Sequence, residues 1–191
     1  PASRFIEKIL KTKMSKNSQA WSHEKIYKLR NKVEKGFIRV DADEVHYPLH
    51  IIHRFNVEHK IIEESANIEY LPDLWNQEFK KIFSFDVDSD NNGCLQDIHW
   101  YGGDFGYFPT YSIGAFIASQ LMNKIKKVIP NINQKIENGN FLSITRWLKR
   151  NFHERGSCYK INEILHKITG EELNLKYFEN HIVNRYLKES Y

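Results

Sequence analysis

Residues 93–114, GCLQDIHWYGGDFGYFPTYSIG, concentrate the residue types that could bind a ligand and act on it. The segment places Gln96, Asp97 and His99 among aromatic residues and five glycines. Polar hydrogen-bonding groups, aromatic walls and a backbone free to bend are typical of a ligand cleft, whereas a helix in a plain core needs none of them. The pattern therefore indicates one half of a site, and the other half must come from elsewhere.

Arg39 is a second candidate, because it lies in the apolar sequence FIRV at residues 37–40. A guanidinium in such surroundings needs a carboxylate partner, which either the protein or a ligand can supply. Asp41 and Asp43 are the partners nearest in sequence. On these residues alone, a structural ion pair is favoured over ligand recognition.

Nine histidines make zinc the first metal to test. A zinc peptidase of the HExxH type needs two histidines one helical turn apart and a glutamate as general base. The 191 residues contain no HExxH, and Pro48 stands between the nearest pair, His46 and His50, with His53 one turn further on. A closed zinc site needs four ligands, so a structural or surface role is favoured over metal binding and we predict no metal site.

Two other motifs lack residues that their chemistry requires. Residues 86–93 alternate carboxylates as a calcium-binding EF-hand loop does, but Asn91 replaces the glycine of the turn and Asp97 replaces the bidentate glutamate. The GGDFG sequence at 102–106 is not followed by Lys-Ser/Thr, and Asp104 would repel a phosphate. We therefore expect a solvated surface loop at residues 86–93 and no phosphate site at residues 102–106.

The elements that must position these residues are predicted to be helices. Apolar residues recur at spacings of three and four along most of the chain, and strict alternation is rare, so the sequence predicts an all-α fold. The one segment with the signature of a short β-strand lies near residues 37–40, where β-branched residues follow a glycine. The predicted helices cover residues 4–14, 23–34, 43–65, 72–84, 110–128, 131–138, 141–153, 160–168 and 175–189.

The positions of proline and glycine residues support several of these helix boundaries. Pro72 falls near the first turn of one predicted helix, and Gly139 and Gly170 follow the ends of two others. Pro48 fits the long helix only if that helix begins one or two residues earlier, and otherwise predicts a kink.

Composition excludes some classes of function and compartment. The chain has no apolar run of the roughly 18 residues that a membrane span needs, and its N-terminal residues lack the apolar core of a secretory signal. Its two cysteines, Cys94 and Cys158, do not form a disulfide framework. We therefore predict a cytoplasmic protein that contacts no membrane.

Charge is unevenly distributed along the chain. Residues 1–35 carry ten Lys/Arg against three Asp/Glu, whereas residues 41–97 carry four against thirteen. A basic segment could contact nucleic acid, but no aromatic-and-glycine RNA-binding pattern accompanies it. A solvated face that pairs with an acidic surface is therefore favoured over nucleic-acid binding.

Two motifs carry a resemblance to a known family. IRVDAD at residues 38–43 and GCLQDIHW at residues 93–100 match, at every fixed position, the IRxxAD and GxxQDxHW motifs of the thermostable carboxypeptidase Taq family of zinc metallocarboxypeptidases. The similarity extends from about Asn31 to the C-terminus, and residues 1–30 resemble the family only loosely. We therefore divide the chain into a basic N-terminal segment, 1–30, and a carboxypeptidase Taq-like C-terminal region, 31–191.

The resemblance implies an exopeptidase that removes single residues from peptide C-termini in a deep groove between helical walls. In that family an HExxH pair and a further Glu hold the zinc, and they precede IRxxAD. This sequence is thus expected to be the C-terminal part of such an enzyme, with the other half of the site upstream of residue 1. Zinc belongs to the complete enzyme, and we predict that this chain alone binds none and does not hydrolyse peptides.

The resemblance also implies roles for the residues of the two motifs. Arg39 would bind the substrate, at its terminal carboxylate, and Gln96 would fix the loop. Asp43 and Asp97 would orient neighbouring groups by accepting hydrogen bonds from them.

Catalytic roles fall, by the same resemblance, on the second motif and the loop after it. His99 would donate a hydrogen bond to the oxyanion of the scissile peptide. Tyr107 and Tyr111 resemble tyrosines that stabilise the tetrahedral intermediate, and the resemblance leaves open which of them does so. The loop that carries them would be hinged at Gly102, Gly103 and Gly106.

Two interpretations of the whole chain remain. The first is a C-terminal fragment or subunit of a carboxypeptidase, whose partners are peptide C-termini and either a complementary N-terminal chain bearing HExxH or a second copy of itself. The second is a non-catalytic module, a pseudoenzyme that keeps Arg39 and His99 to hold peptide C-termini or a partner. In the first case we expect an exposed apolar wall on this chain.

Overall fold

The computed structural model describes residues 1–13 and 21–188, and its regular elements in those ranges are all helical. The predicted all-α fold is confirmed. The chain divides into two compact units, one formed by Pro1–Lys32 and Phe116–Tyr191 and the other by Val33–Ala115.

Each predicted helix has a counterpart in the described residues, and the differences are confined to the ends. Residues 14 and 189, the predicted ends of the first and last helices, lie outside the described ranges. The helices are α1 (Ala2–Lys13), α2 (His23–Arg30), α3 (Tyr47–Ile62), α4 (Leu71–Phe83), α5 (Pro109–Val128), α6 (Ile132–Glu137), α7 (Leu142–Asn151), α8 (Ile161–Thr169) and α9 (Lys176–Ile182). A π-helical segment, Val183–Lys188, follows α9.

The strand predicted near residues 37–40 is wrong. Arg39–Asp41 form a 3-10 turn, closed by a hydrogen bond of 3.1 Å from the backbone N of Ala42 to the carbonyl O of Arg39. A strand needs a neighbouring strand to receive its backbone groups, and the described ranges contain none. The backbone N of Arg39 instead donates to the side-chain oxygen of Gln96 at 3.0 Å.

Helix α3 begins four residues later than predicted, because Asp43 forms its start. One carboxylate oxygen of Asp43 accepts hydrogen bonds from the backbone N of Val45 at 2.9 Å and of His46 at 3.0 Å. Pro48 therefore falls in the first turn, where no partner inside the helix exists for a backbone N–H. At this position Pro48 does not require the helix to kink.

The unit Val33–Ala115 is built on an aromatic core between α3 and α4. Trp75, Phe79 and Phe83 of α4 are almost completely buried, together with Val57 of α3. Trp100 packs against this core, with its ring centroid 5.9 Å from that of Trp75. The core thus fixes the segment that carries Gln96, Asp97 and His99.

The other unit has a smaller aliphatic core. Ile125 of α5 and Ile129, which follows that helix, pack with Ile132 of α6, and Trp147 of α7 lies against them. Gln120 is buried and binds the turn after α8, since its amide N donates to the Thr169 hydroxyl at 3.0 Å and its amide O accepts from the backbone N of Asn174 at 3.1 Å.

In the part of the chain that the structure describes, no helix is both long and apolar enough to cross a membrane.

Candidate functional site

A buried carboxylate between two arginines forms the centre of the site. Arg39 donates to one oxygen of Asp97 from Nη2 at 2.7 Å and from Nε at 3.0 Å. Arg54, completely buried on α3, donates from Nε to the other oxygen of Asp97. Both oxygens of Asp97 are therefore held by guanidinium groups, which is the geometry of a strong charge-assisted pair.

The charges of this cluster keep all three groups ionised at neutral pH. Burial alone would raise the pKa of Asp97, but the positive charges of Arg54 and Arg39 hold that pKa below its ordinary value. Burial lowers the pKa of Arg54 to about 10, although the negative charge of Asp97 opposes this decrease. Burial would also lower the pKa of Arg39, but its hydrogen bonds to Asp97 outweigh burial and raise that pKa above its ordinary value. Two cations and one anion leave an excess of one positive charge.

Asp41 and Asp43, the carboxylates expected to pair with Arg39, do not do so. The partner is Asp97, 58 residues away in sequence. The oxygens of Asp43 are directed to the start of α3, to the Nδ1 of His46 at 2.8 Å and to the backbone N of Glu34 at 2.9 Å. Burial would raise the pKa of Asp43, and these hydrogen bonds, first that of His46, lower it instead.

Gln96 joins the two sequence motifs through both ends of its amide. Its oxygen accepts from the backbone N of Arg39 at 3.0 Å and from Nη2 of Arg54 at 2.6 Å. Its nitrogen donates to the carbonyl oxygens of Phe37 at 3.1 Å and Asn92 at 2.8 Å. The amide thus holds the loop through four hydrogen bonds to protein atoms.

His99 and Tyr111 form a hydrogen-bonded pair beside the cluster. The Nε2 of His99 lies 3.0 Å from the Tyr111 hydroxyl, and its Nδ1 is buried, without a hydrogen-bond partner in the described residues and 3.9 Å from Asp97. The Tyr111 ring also lies over Arg39, whose Cζ is 5.1 Å from the ring centroid. Burial raises the pKa of Tyr111, although the charge of Arg39 opposes this, so the phenol stays protonated and can donate.

Tyr107 lies near the same pair but is not hydrogen-bonded to it. Its ring centroid is 5.8 Å from that of His99 and 5.4 Å from that of Tyr111, and nearly half of its surface is exposed. The structure therefore brings both predicted tyrosines to His99, and of the two it is Tyr111 whose hydroxyl contacts the imidazole.

Two of the three predicted hinge glycines have backbone conformations that favour glycine. Gly103 has φ of +80° and Gly106 of +78°, both in the left-handed region, whereas Gly102 does not. The backbone N of Gly106 donates to the carboxylate of Glu58 on α3. The other oxygen of Glu58 accepts from the indole Nε1 of Trp100 at 2.9 Å. This carboxylate fastens the glycine-rich loop to α3.

Sequence reasoning missed three residues that shape this site: Arg54, Glu58 and Tyr47. The signal that singled out Arg39, a guanidinium among apolar residues, is also present for Arg54 in HIIHRF. Tyr47 contributes its hydroxyl, which accepts from Nη1 of Arg39 at 2.8 Å. Nothing local in the sequence distinguishes Glu58 from the exposed glutamates of the same region.

Of the three histidines considered as zinc ligands, two pack in the aromatic core against Phe79 and the third pairs with a carboxylate. His50 packs on Phe83 with ring centroids 4.5 Å apart, and burial lowers its pKa to about 3. His53 packs edge-on against Trp75, and burial lowers its pKa to about 4. His46 is bound to Asp43. Within residues 1–13 and 21–188, no group of three His, Cys, Asp or Glu side chains is arranged to hold a metal ion.

The acidic loop that resembled an EF-hand makes its own surface contacts. Asp86 pairs with Lys80 at 2.7 Å, and Asp88 accepts from the side chain of Asn92 at 2.8 Å.

The sequence matches the profile of the family described as carboxypeptidase Taq (M32) metallopeptidase over residues 3–186. It is 42% identical over 156 residues to carboxypeptidase 1 of Bacillus subtilis, an alignment that covers 82% of this chain and 31% of the relative. It is 38% identical over 167 residues to thermostable carboxypeptidase 1 of Pyrococcus furiosus, covering 87% and 34% respectively. The chain thus spans about a third of the length of the curated relatives it matches.

Solved structures show the same helical arrangement. Metallocarboxypeptidase 1 of Trypanosoma cruzi superposes with a TM-score of 0.89 at 33% identity, over 96% of this chain and 38% of that one. A Pyrococcus furiosus carboxypeptidase superposes with a TM-score of 0.89 at 36% identity, over 97% and 37%.

Proposed function

The chain belongs to the carboxypeptidase Taq (M32) metallopeptidase family, and on that premise we propose that it forms the substrate-binding wall of a zinc carboxypeptidase that removes C-terminal residues from peptides. In this proposal Arg39 attracts the terminal carboxylate of the peptide. His99 and Tyr111 donate hydrogen bonds to the oxygen of the scissile carbonyl as negative charge develops on it. Tyr107 closes over the bound peptide from the glycine-rich loop.

The observation that carries this proposal is the His99–Tyr111 pair beside a cluster with one positive charge in excess. A carboxylate is drawn to such a cluster because little water is present to screen the charge. Arg39 has five N–H donors, and three of them are used by Asp97 and Tyr47. The remaining donors allow an incoming carboxylate to be bound without breaking the pair with Asp97.

The described residues do not fit a zinc ion, although the family is one of metallopeptidases. His50 and His53 are enclosed by aromatic rings, and within residues 1–13 and 21–188 no third ligand joins them to form a metal-binding group. We therefore assign to this chain the binding of the substrate and the stabilisation of the oxyanion, and not the activation of water. The chain alone is inactive in this proposal, and the HExxH motif comes from sequence other than these 191 residues.

Binding of a peptide with a free C-terminus tests the substrate role directly. We expect isothermal titration to show binding of an N-acetylated tripeptide acid and at least about fivefold weaker binding of its C-terminal amide, which lacks the charge. Arg39→Lys keeps a charge but not the planar fork, and should reduce the preference for the acid. Equal affinities of the wild-type chain for acid and amide would contradict the proposal.

A non-catalytic module is the second candidate, since the described residues do not bring three His, Cys, Asp or Glu side chains together as metal ligands. Such a module would bind peptide C-termini through the same Arg39 and His99 and release no amino acid under any condition. Both candidates therefore predict the same binding of peptides. They differ in whether an amino acid is released when an HExxH-bearing chain is added.

The proposed partner is a complementary chain or a second copy of this one. Exposed apolar side chains of the Val33–Ala115 unit support this, since Val40, Ile98 and Tyr101 have 68%, 81% and 70% of their surface accessible. Sedimentation of the purified chain should show association that weakens in Ile98→Lys.

We also propose a cytoplasmic location, which the free thiols of Cys94 and Cys158 support.

A further inference from the structure

A separate cavity of about 450 Å³ lies in the unit that contains Phe116–Tyr191. It is lined by residues of α5, α7, α8 and the turn between α7 and α8. Its volume is within the range of about 300–1,000 Å³ that small-molecule sites occupy. None of its lining residues belongs to the candidate site around Arg39 and His99.

The lining of the cavity combines apolar and aromatic side chains with polar ones, and polar atoms form the larger part of its surface. Val128, Ile164 and Ile168 supply aliphatic surface, and Trp147 and Tyr159 supply ring surface. Ile164 is buried, whereas Val128 and Tyr159 keep 45% and 38% of their surface accessible. Such a lining accepts a flat ring or a branched aliphatic group from water.

The charged side chains of the cavity are all cationic. Lys124, Arg155 and Lys167 line it, and no Asp or Glu does. The Nζ of Lys167 lies over the Tyr159 ring, 4.9 Å from its centroid. Lys124 and Arg155 form no ion pair with any carboxylate in residues 1–13 and 21–188.

The acidic side chains closest to this region in sequence are already engaged. Glu154 pairs with Lys149 at 4.0 Å, and Glu163 accepts from the backbone N of Lys160 at 3.1 Å. Neither of them lines the cavity. The three cations therefore line one cavity with no carboxylate among its lining residues, an arrangement that a bound anion would stabilise.

The turn between α7 and α8 places two of the lining residues. Gly156 has φ of +50°, and the backbone N of Cys158 donates to the carbonyl of Arg155 at 3.1 Å. The chain therefore reverses within a few residues, and Arg155 and Tyr159 line the same cavity. The cavity is thus defined by ordered backbone as well as by long side chains.

We propose that this cavity binds a small amphipathic anion, with an aromatic or branched aliphatic body against Trp147 and the isoleucines and one carboxylate among the three cations. A free amino acid is a poor fit, because its ammonium group would meet three cations and no carboxylate. The site is independent of the proposed peptide site and does not rest on it.

The probe is 3-phenylpropionate, compared with the neutral 3-phenylpropanamide of the same shape. Isothermal titration measures affinity, and tryptophan fluorescence reports where the compound binds. We expect saturable binding of the acid, at least about fivefold weaker binding of the amide, and a fluorescence change that is lost in Trp147→Phe. Arg155→Gln should weaken binding of the acid severalfold. The matched control Arg150→Gln, at an exposed residue of α7 that does not line the cavity, should not.

Three results would overturn the proposal: equal affinities for acid and amide, binding that Arg155→Gln leaves unchanged, or a fluorescence change that persists in Trp147→Phe. The last would place the compound near another tryptophan, such as Trp100 in the unit of the peptide site. Arg155 is exposed, so its substitution leaves the fold intact and keeps the comparison interpretable.

Discussion

At the scale of single residues, Asp97 organises the candidate site. Both Arg39 and Arg54 contact its carboxylate through charge-assisted hydrogen bonds, and the carboxylate lies 3.9 Å from Nδ1 of His99. Removing its charge would leave two buried cations without compensation.

The substitution Asp97→Asn should therefore lower the free energy of unfolding by about 3–5 kcal/mol, the cost of breaking a buried ion pair. Unfolding in urea measures this. Asp86→Asn is the matched control, because Asp86 pairs with Lys80 on the surface and its loss should cost about 1 kcal/mol at most. A loss for Asp97→Asn no larger than for the control would show that the cluster does not stabilise the fold.

Two buried histidines give the chain a specific sensitivity to acid. The pKa of His50 is lowered to about 3 and that of His53 to about 4, both first by burial, so the folded state holds them neutral. The unfolded chain takes up their protons near pH 6.5. The stability that they contribute is therefore fully present above pH 6.5 and declines as the pH falls towards 3–4.

His50→Phe should reduce this dependence, because the ring nitrogens of His50 have no hydrogen-bond partner among the described residues and a phenyl ring can replace the imidazole against Phe83. We expect the decrease in melting temperature between pH 7 and pH 4.5 to be smaller than in the wild type. His59→Gln, at an exposed residue, should leave the decrease unchanged. An equal decrease in His50→Phe would mean that other groups control the acid response.

At the scale of elements, the helices could be predicted from sequence and the contacts that assemble the site could not. Spacing of apolar residues and Pro72 placed the helices because both act within a few residues of chain. The strand near 37–40 was predicted from local composition, but the backbone N of Arg39 bonds to Gln96, 57 residues away. The same distance in sequence concealed the Arg39–Asp97 pair.

Functional roles came from a different source. The types and spacing of residues 93–114 indicated a site, but only the resemblance of the two motifs assigned roles to Arg39, His99 and the tyrosines. Glu58 was missed because its function, fastening the glycine-rich loop, depends on contacts with Trp100 and Gly106 that no local pattern encodes.

Replacing a glycine of the glycine-rich loop tests whether its backbone conformation requires glycine. Gly106→Ala should lower the free energy of unfolding by about 1–2 kcal/mol, since an alanine is strained at φ of +78°. Gly114→Ala should instead raise it by about 0.5–1 kcal/mol, because Gly114 lies within α5 and an added Cβ meets nothing within 4 Å. Thermal unfolding of the two variants tests the pair. If Gly106→Ala were as stable as Gly114→Ala, the loop conformation would not require glycine.

At the scale of the whole molecule, the chain spans about a third of its curated relatives and yet contains a compact site between its two motifs. In the proposed function its own residues supply carboxylate binding and oxyanion stabilisation. Among the described residues, no group of three His, Cys, Asp or Glu side chains is arranged to hold a metal ion. The central claim of the proposed function is that catalysis needs an HExxH-bearing segment in addition to these 191 residues.

The most direct test is to mix this chain with the part of Bacillus subtilis carboxypeptidase 1 that its match does not cover, and to measure release of the C-terminal amino acid from an N-blocked dipeptide in the presence of zinc. The account predicts no release by either part alone, release by the mixture, and a rate about 10²-fold lower when this chain carries His99→Ala. Release by this chain alone that a chelator abolishes, or a mixture that binds peptide but releases nothing, would contradict it.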